Sequence, residues 1–336
     1  MNVRRLIQSV IDSPLLRPVW AVGYGVVDWL WLGNGGAYRR IDSEKYTNRH
    51  PWLEIEVTNV CTANCSFCAY GQQTRKKTVM GRAMYEKVID EYAASGGGKL
   101  VLTPFVGESL ADKEFVGKLA YAKSKGNIGP ISFSTNATLL TDLKFEELVE
   151  AGLDAIEISC SGFDREEYKR VYRVDKFETV FANLCAVAES PYFKDVENVI
   201  NVRTDRLFPK FTANWKRLVK SGWNMRRGWF YDNWGGAIKP DALTGCMFIK
   251  PKRPIRHQPC AYMYGGVRVS ATGEISACGC RNFNADGDLI VGHVKNGLNS
   301  PLIDGAMERV RNRFLSGKES DLPNTCRQCR EWRPSK

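Results

Sequence analysis

Residues 61–68 read Cys61-Thr-Ala-Asn-Cys65-Ser-Phe67-Cys68, directly after a strand predicted over residues 53–58. Three thiolates at this spacing on one tight loop can each bind one iron of a [4Fe–4S] cube, which leaves the fourth iron open for another ligand. A lone Cys-x2-Cys would leave zinc, redox and iron–sulfur uses open. The third cysteine makes the pattern far more specific, and it indicates an iron–sulfur site at a strand end.

The chain beyond this loop alternates strand patterns with helix patterns. Strands are predicted over residues 53–58, 99–105, 131–135, 155–160, 199–203 and 228–231. Helices are predicted between them, over residues 108–124, 142–151, 166–188 and 214–221. This alternation indicates an α/β fold with a parallel sheet, in which the chemistry lies at the carboxyl ends of the strands. We expect a partial (β/α)6 TIM-like barrel.

The three cysteines, with an aromatic residue before the last one, resemble the signature of the radical SAM superfamily. Short motifs that resemble those of the family follow the next three predicted strands, in the same order as in the family. Tyr172-Arg173 matches a further motif of the family. The resemblance implies that Cys61, Cys65 and Cys68 hold a [4Fe–4S] cluster. It assigns contacts to S-adenosylmethionine (SAM) to Phe67, Tyr70, Gly107, Glu108, Ser134, Asn136, Ser159, Ser161 and Arg173.

Two of these contacts have a stated chemistry. Glu108 is expected to pair with the methionyl ammonium of SAM, and Arg173 can fork onto its carboxylate. Ser161 stands where the family commonly has an aspartate for the ribose. Taken singly, Arg173 could be a solvated helix residue, Glu108 a helix N-terminal charge, and residues 134–136 a turn.

Five cysteines lie in the last 80 residues of the chain. Cys260, Cys278, Cys326 and Cys329 resemble the ligands of the truncated auxiliary-cluster domain called twitch, a shorter form of SPASM, which holds one further [4Fe–4S] cluster. Cys280 is a spare or an alternative ligand to Cys278. A structural zinc site would suit four such thiolates equally well. The resemblance therefore implies SAM and two [4Fe–4S] clusters as cofactors.

Length and composition bound the architecture. The 336 residues suggest about two domains. We expect an aromatic-rich extension over residues 1–49, the partial barrel over 50–240 and a small auxiliary iron–sulfur domain over 241–336. The odd count of 11 cysteines argues against complete disulfide pairing, and the presence of only 3 histidines argues against chemistry built on several histidines.

The N-terminal residues allow two interpretations. The apolar run 18–27 is too short to span a membrane, and no small-residue cleavage pattern follows it. Its aromatic residues and nearby arginines predict either an interfacial segment in peripheral contact with a membrane or a lid helix that packs on the core. Thiolate-bound clusters favour a reducing, cytoplasmic location.

The resemblance also implies the start of the reaction. A reduced cluster cleaves SAM, and the resulting 5′-deoxyadenosyl radical abstracts a hydrogen atom from an unactivated C–H bond. Relatives with one auxiliary cluster include aminoglycoside and sugar epimerases and aminocyclitol dehydrogenases. An epimerase needs a thiol as hydrogen donor, for which Cys246 is the best candidate and Cys160 and Cys185 are others. A dehydrogenase needs a proton acceptor, for which Asp232 is the candidate, and an electron sink.

The net charge of +11 bears on the partners. We expect a small-molecule substrate, a sugar or cyclitol that could be nucleotide- or lipid-linked, and a one-electron reductant such as flavodoxin or ferredoxin. Modification of a ribosomal peptide or a protein side chain is the alternative reaction class. No specific nucleic acid is expected, because charge without a reading motif is weak evidence.

Overall fold

The computed structural model describes residues 3–16, 18–20, 22–23, 51–160, 163–208, 212–228, 230–252 and 258–332. Ser161 lies outside the described residues, as do residues 253–257 and the remaining parts of the predicted N-terminal extension.

Six parallel strands form the main part of one open sheet, in chain order. They are β1 Trp52–Ile55, β2 Gly98–Val101, β3 Ile128–Thr135, β4 Ala155–Cys160, β5 Glu197–Val202 and β6 Met225–Arg227. Between them lie the helices α2 Arg82–Ala94, α3 Phe115–Lys123, α4 Asp142–Glu150, α5 Arg165–Tyr172, α6 Phe177–Glu189 and α7 Ala213–Lys220. The predicted α/β fold with a partial (β/α)6 barrel is confirmed.

Local capping explains where several helices begin. The side chains of Thr141, Asp164 and Thr212 each accept a hydrogen bond from a backbone N–H in the first turn of α4, α5 and α7. Such caps satisfy donors that have no partner inside the helix. The helices therefore begin within one or two residues of the positions that the sequence predicts.

Three predicted elements differ clearly from the structure. The helix expected over 108–124 begins only at Phe115, after a short 3-10 turn at Ser109–Ala111. The helix expected over 166–188 is two helices, because Arg173 adopts a left-handed conformation with φ of 57°. Carbonyl groups of the last turn of α5 accept hydrogen bonds from the cysteine loop instead of continuing the helix. The sixth strand was expected at 228–231, but residues 225–227 pair with β5. Phe230–Tyr231 (β7) pairs instead with Phe248–Ile249 (β8).

The C-terminal part of the chain extends the same sheet. β9 Gly266–Val269 lies parallel to β1, and β10 Glu274–Ser276 and β11 Ile290–His293 follow in antiparallel order. β9 and β10 thus form a hairpin that turns at residues 270–273. The helices α8 Pro301–Leu315 and α9 Asn324–Gln328 follow β11. The predicted boundary between residues 240 and 241 stays a prediction, and the sheet continues across it.

The first helix, α1 Val3–Ile11, contacts β8 and the turn at 240–242. Within the described residues, no helix is both long enough and apolar enough to cross a bilayer.

Candidate functional site

The cysteine loop lies at the carboxyl end of β1 and is held by backbone hydrogen bonds. The N–H of Asn64 donates to the carbonyl of Tyr172 at 3.2 Å, and the N–H of Ser66 donates to the carbonyl of Val171 at 2.8 Å. The Tyr70 hydroxyl accepts from the Cys61 N–H at 3.0 Å. The end of α5 and one aromatic side chain therefore fix the path of the loop.

One cavity of about 370 Å³ opens at this edge of the sheet. Most of the predicted site residues line it, namely Cys61, Cys65, Phe67, Cys68, Tyr70, Gly107, Glu108, Ser134, Asn136, Ser159 and Asp232. The structure thus brings together residues from the ends of β1 to β4 and from the segment after β7. This is the arrangement expected where parallel strands end at a common edge.

The three sulfurs of the loop lie in surroundings that disfavour bare thiolates. Burial raises the pKa of Cys61 to about 11 and that of Cys68 to about 12, and burial raises the pKa of Cys65 as well. Cationic iron would offset this cost of ionisation, since a metal deprotonates the thiols that bind it. Among the residues that the structure describes, no group of three or more His, Cys, Asp or Glu side chains is arranged to hold a single metal ion. Three thiols spread along one cavity wall suit a polynuclear cluster, in which each thiolate binds a different iron.

Glu108 is buried and held by three donors. Its Oε1 accepts from the Thr135 hydroxyl at 2.7 Å and from the Leu110 N–H at 3.2 Å. Its Oε2 accepts from the Asn136 N–H at 2.7 Å. Burial raises the pKa of Glu108, and the three donors oppose that shift. The carboxylate is thereby fixed at the cavity wall, with one lone pair of Oε2 not used by a protein donor.

Gly107 allows this placement of Glu108. Its φ is +156°, and a Cβ at this position would lie 2.7 Å from the carbonyl oxygen of Thr58. The neighbouring N–H, that of Glu108, donates to the carbonyl of Val60 at 2.8 Å. A residue with a side chain would therefore push the second strand end away from the cysteine loop.

Three other predicted SAM contacts have clear positions. Asn136 Nδ2 lies 3.7 Å from the Cys61 sulfur and donates to the Thr62 hydroxyl at 3.0 Å. The Ser159 hydroxyl is 3.0 Å from the Tyr172 hydroxyl, and the Ser134 N–H donates to the Thr103 hydroxyl. These hydrogen bonds join the strand ends to one another, to the cysteine loop and to α5, and together they form one wall of the cavity.

Arg173 is not among the residues that line the cavity. Its guanidinium is exposed, and Nη2 donates to the carbonyl of Ala242 at 3.4 Å. Arg173 is the left-handed residue that ends α5, and this conformation accompanies the position of its side chain beside Ala242.

Five charged residues also line the cavity wall, namely Glu157, Arg203, Lys250, Arg281 and Glu331. The sequence indicates only Arg203 and Lys250 among them, as basic residues expected to face a phosphate. Arg281 Nε lies 2.6 Å from Asp232 Oδ2, and Lys250 pairs with Glu331. Arg203 directly follows β5, at the carboxyl edge of the sheet. Arg281 and Glu331 come from the C-terminal part of the chain, where no local pattern indicated them.

A second, smaller cavity of about 20 Å³ lies in the C-terminal part. All four predicted auxiliary ligands line it, Cys260, Cys278, Cys326 and Cys329. Burial raises the pKa of Cys278. Four cysteines around one apolar space, of which Cys260 and Cys326 are buried, are compatible with the predicted auxiliary cluster.

Arg281 and Glu331 line both cavities, so these two side chains form part of the wall between them. Cys280 lines the first cavity and is not among the residues of the second, although it is only two residues from Cys278.

The three cysteines proposed from the sequence as hydrogen donors are not among the residues lining either cavity. Cys160 is the buried last residue of β4, and Cys185 belongs to α6. The N–H of Cys246 donates to the carbonyl of Asp205 at 2.8 Å, beside a shallow depression on the outside of the barrel that Asp205 and Gly245 help to line.

Comparison with known proteins shows where this chain is similar to others. Residues 55–205 match the family described as the Radical SAM superfamily. The GTP 3′,8-cyclase of Chlorobaculum tepidum is 27% identical over 172 residues, which are 51% of each chain. An uncharacterized protein of Methanocaldococcus jannaschii is 34% identical over 136 residues, 40% of this chain and 42% of that protein. The chain thus spans about half the length, or less, of these curated relatives.

Solved structures share the fold over a longer stretch. The structure of BtrN in complex with AdoMet and 2-DOIA has a TM-score of 0.58 at 17% identity, covering 83% of this chain and 92% of that one. Native anSMEcpe with bound AdoMet and Cp18Cys peptide has a TM-score of 0.54 at 15% identity, covering 84% and 89%. At these identities the likeness concerns the fold alone.

Proposed function

Residues 55–205 of this chain belong to the radical SAM superfamily, and on that premise we propose that the protein is a radical SAM enzyme that epimerises a sugar or cyclitol. One observation carries the proposal. A single cavity contains the three loop cysteines, Glu108, and a second set of charged and thiol groups that includes Asp232 and Cys280. Cofactor and substrate groups thus share one space.

The cofactors would be held by the residues already described. Cys61, Cys65 and Cys68 would bind the first cluster, and Glu108 would pair with the ammonium of SAM. When bound, cluster and SAM supply a 5′-deoxyadenosyl radical that removes a hydrogen atom from a C–H bond of the substrate. Phe67 and Tyr70 provide ring faces beside the cluster loop, and Trp234 fixes the loop by donating to the Phe67 carbonyl at 2.8 Å.

The remaining wall suits a hydroxyl-rich or phosphorylated ligand. Asp232 and Arg281 form a partly buried ion pair, with side chains 15% and 18% exposed. Arg203 and Lys250 add positive charge to the same wall. Fixed charges of both signs offer donors and acceptors for hydroxyl groups, and the cations can meet a phosphate. An apolar peptide side chain would form no hydrogen bonds with these charged groups.

We assign the hydrogen donor to Cys280 in place of Cys246, because Cys280 is the cysteine beyond the cluster loop that lines this cavity. The S–H bond of Cys280 breaks, and its hydrogen atom goes to the substrate carbon radical on the face opposite to the abstraction. The resulting thiyl radical takes up one electron and one proton to restore the thiol. The electron comes from a one-electron donor of the flavodoxin or ferredoxin class.

Dehydrogenation is the second candidate, and the wall between the two cavities favours it. Arg281 and Glu331 line both cavities, so an electron leaving the substrate would cross a single layer of side chains to reach Cys260, Cys278, Cys326 and Cys329. Asp232 would accept the carbinol proton in that reaction. The auxiliary cluster would receive the electron.

The two reactions differ in the mass of the product. Reconstituted protein is incubated in D2O with SAM, dithionite and a panel of UDP-hexoses and polyprenyl-linked hexoses. Epimerisation gives an inverted product that carries one deuterium, whereas dehydrogenation gives a product two mass units lighter without deuterium. Cys280→Ala abolishes deuterium uptake and Cys246→Ala, the matched control, retains it. Deuterium uptake unchanged in Cys280→Ala refutes the donor assignment. A yield of 5′-deoxyadenosine no greater than that of Cys61→Ala with every substrate refutes the enzyme proposal.

A further inference from the structure

The first helix is attached to the protein by its polar face. Gln8, only 4% exposed, is bound to the backbone of Ile249 in both directions. Its Nε2 donates to the carbonyl at 3.1 Å, and its Oε1 accepts from the N–H at 3.0 Å. One turn before and one turn after, Arg5 pairs with Asp241, and Asp12 accepts from Arg330 at 2.6 Å. Three polar side chains of the α1 region thus bind it to the rest of the protein.

The opposite face of the same helix is apolar and faces solvent. Leu6, Ile7 and Val10 are 48%, 39% and 53% exposed, and their spacing of three and four residues places them on one side. Among the described residues of α1, Ile11 is the buried apolar side chain. An ordinary surface helix shows the reverse order, with its apolar stripe toward the core.

The exposed apolar surface continues beyond α1. Leu15, Val19 and Val22 are 87%, 59% and 69% exposed. Six large aliphatic side chains within about 17 residues are exposed, and such a concentration of exposed apolar side chains indicates a binding surface. Scattered single residues would need no such explanation.

Charge favours a lipid surface as the occupant. Residues 1–27 contain three arginines and one aspartate, and that aspartate, Asp12, is held by Arg330. Arg5 remains 68% exposed despite its ion pair. An apolar face on a segment with an excess of arginine is the pattern of helices that lie in the plane of an anionic bilayer. A partner protein surface would more often call for mixed charges at the rim.

The segment also lies against the substrate cavity. Trp20 donates to the Ile11 carbonyl at 2.8 Å, and its ring meets the ring of Phe230 edge-on at 5.9 Å between centroids. Phe230 lines the first cavity, and Arg330, the partner of Asp12, precedes the cavity residue Glu331. The polar side of the segment thus covers the outside of the cavity wall, while its apolar side faces away.

We infer that α1 and the exposed residues Leu15, Val19 and Val22 bind the surface of an anionic bilayer, which places the N-terminal segment between the membrane and the wall of the substrate cavity. Binding through this face does not depend on the reaction proposed above. If that proposal also holds, the location favours a lipid-linked sugar over a soluble one.

Vesicle sedimentation of the full chain tests the inference. Wild-type protein is mixed with vesicles of phosphatidylcholine, with or without 25% phosphatidylglycerol. We expect sedimentation with the anionic vesicles, weaker sedimentation with the neutral ones, and partial loss between 0.1 and 0.5 M NaCl. The double variant Leu6→Ser/Val10→Ser should partition at least tenfold less.

Leu302→Ser/Leu315→Ser is the matched control, because these leucines of α8 are 74% and 61% exposed. It should bind like wild type, and circular dichroism should show that both variants are folded. Absence of sedimentation with anionic vesicles, or an equal loss in the control, overturns the inference. So does light scattering that shows a dimer which only Leu6→Ser/Val10→Ser dissociates, because a second copy then covers the face.

Discussion

Glu108→Gln tests the SAM site with a change of one charge and almost no change of shape. Oε1 of Glu108 accepts hydrogen bonds from the Thr135 hydroxyl and the Leu110 N–H, and Oε2 accepts one from the Asn136 N–H. The amide nitrogen of glutamine must replace one of these oxygens. In either orientation it faces a backbone N–H, that of Leu110 or of Asn136, so the substitution loses at least one buried hydrogen bond.

The structure separates two effects of this change. Loss of one buried acceptor should lower the free energy of unfolding by about 1 to 3 kcal/mol. Loss of the carboxylate removes a charge-assisted hydrogen bond to the ammonium of SAM, worth about 1.5 to 3 kcal/mol. At about 1.4 kcal/mol for each factor of ten, the dissociation constant for SAM should rise by about 10- to 150-fold.

Equilibrium dialysis of labelled SAM against the reconstituted protein measures the second effect. Iron content, measured on the same samples, should not change, because Glu108 is not a proposed ligand. Asp232→Asn is the matched control, since it removes one negative charge from elsewhere on the same cavity wall. A dissociation constant within twofold of wild type for Glu108→Gln, or an equal loss in Asp232→Asn, would refute the assignment of Glu108 to the ammonium.

Three further predictions follow from described contacts. SAM binding should weaken at acid pH, because pairing with the ammonium needs the ionised carboxylate of Glu108. Burial raises the pKa of Glu108, and the carboxylate is lost as the pH falls through that raised value. Affinities measured between pH 5 and 8 that do not decline toward acid pH would contradict this prediction. Glu56→Ala should lower the free energy of unfolding by about 3 to 5 kcal/mol in urea, because it leaves Arg75, 9% exposed, without its carboxylate. The exposed pair partner Glu86 offers the control, for which Glu86→Ala should cost under about 1 kcal/mol. Cys278→Ala should halve the iron bound by reconstituted protein, whereas Cys280→Ala should retain it; equal losses would make Cys280 a ligand.

The sequence predicted much of the first cavity because parallel strands share one carboxyl edge. Residues such as Glu108 and Asn136 follow their strands directly, so identifying the strands was enough to bring them together. The position of Arg173 could not be predicted in this way. It depends on where α5 ends, and that end is set by backbone groups of the cysteine loop, about a hundred residues earlier in the chain.

The part of the first cavity's wall that the C-terminal residues form depends on contacts between residues distant in sequence. Arg281 and Glu331 reach the cavity only because β9 pairs with β1. No pattern of apolar residues within residues 258–332 predicts that pairing. Cys278 and Cys280 also look equivalent in sequence. The backbone turns at Gly279, with φ of −79° and ψ of −106°, and this sends the two thiols to different cavities.

The pairing of β1 with β9 has a consequence for how the protein is made. β1 is complete once residue 55 has left the ribosome, but its second neighbour is not available until residue 269. One edge of the first strand therefore stays without its partner strand during the synthesis of more than 200 residues, and exposed edges of this kind promote association between chains. A shortened protein that ends at residue 252 would keep that open edge permanently. We expect such a truncation to aggregate rather than to yield an independent barrel.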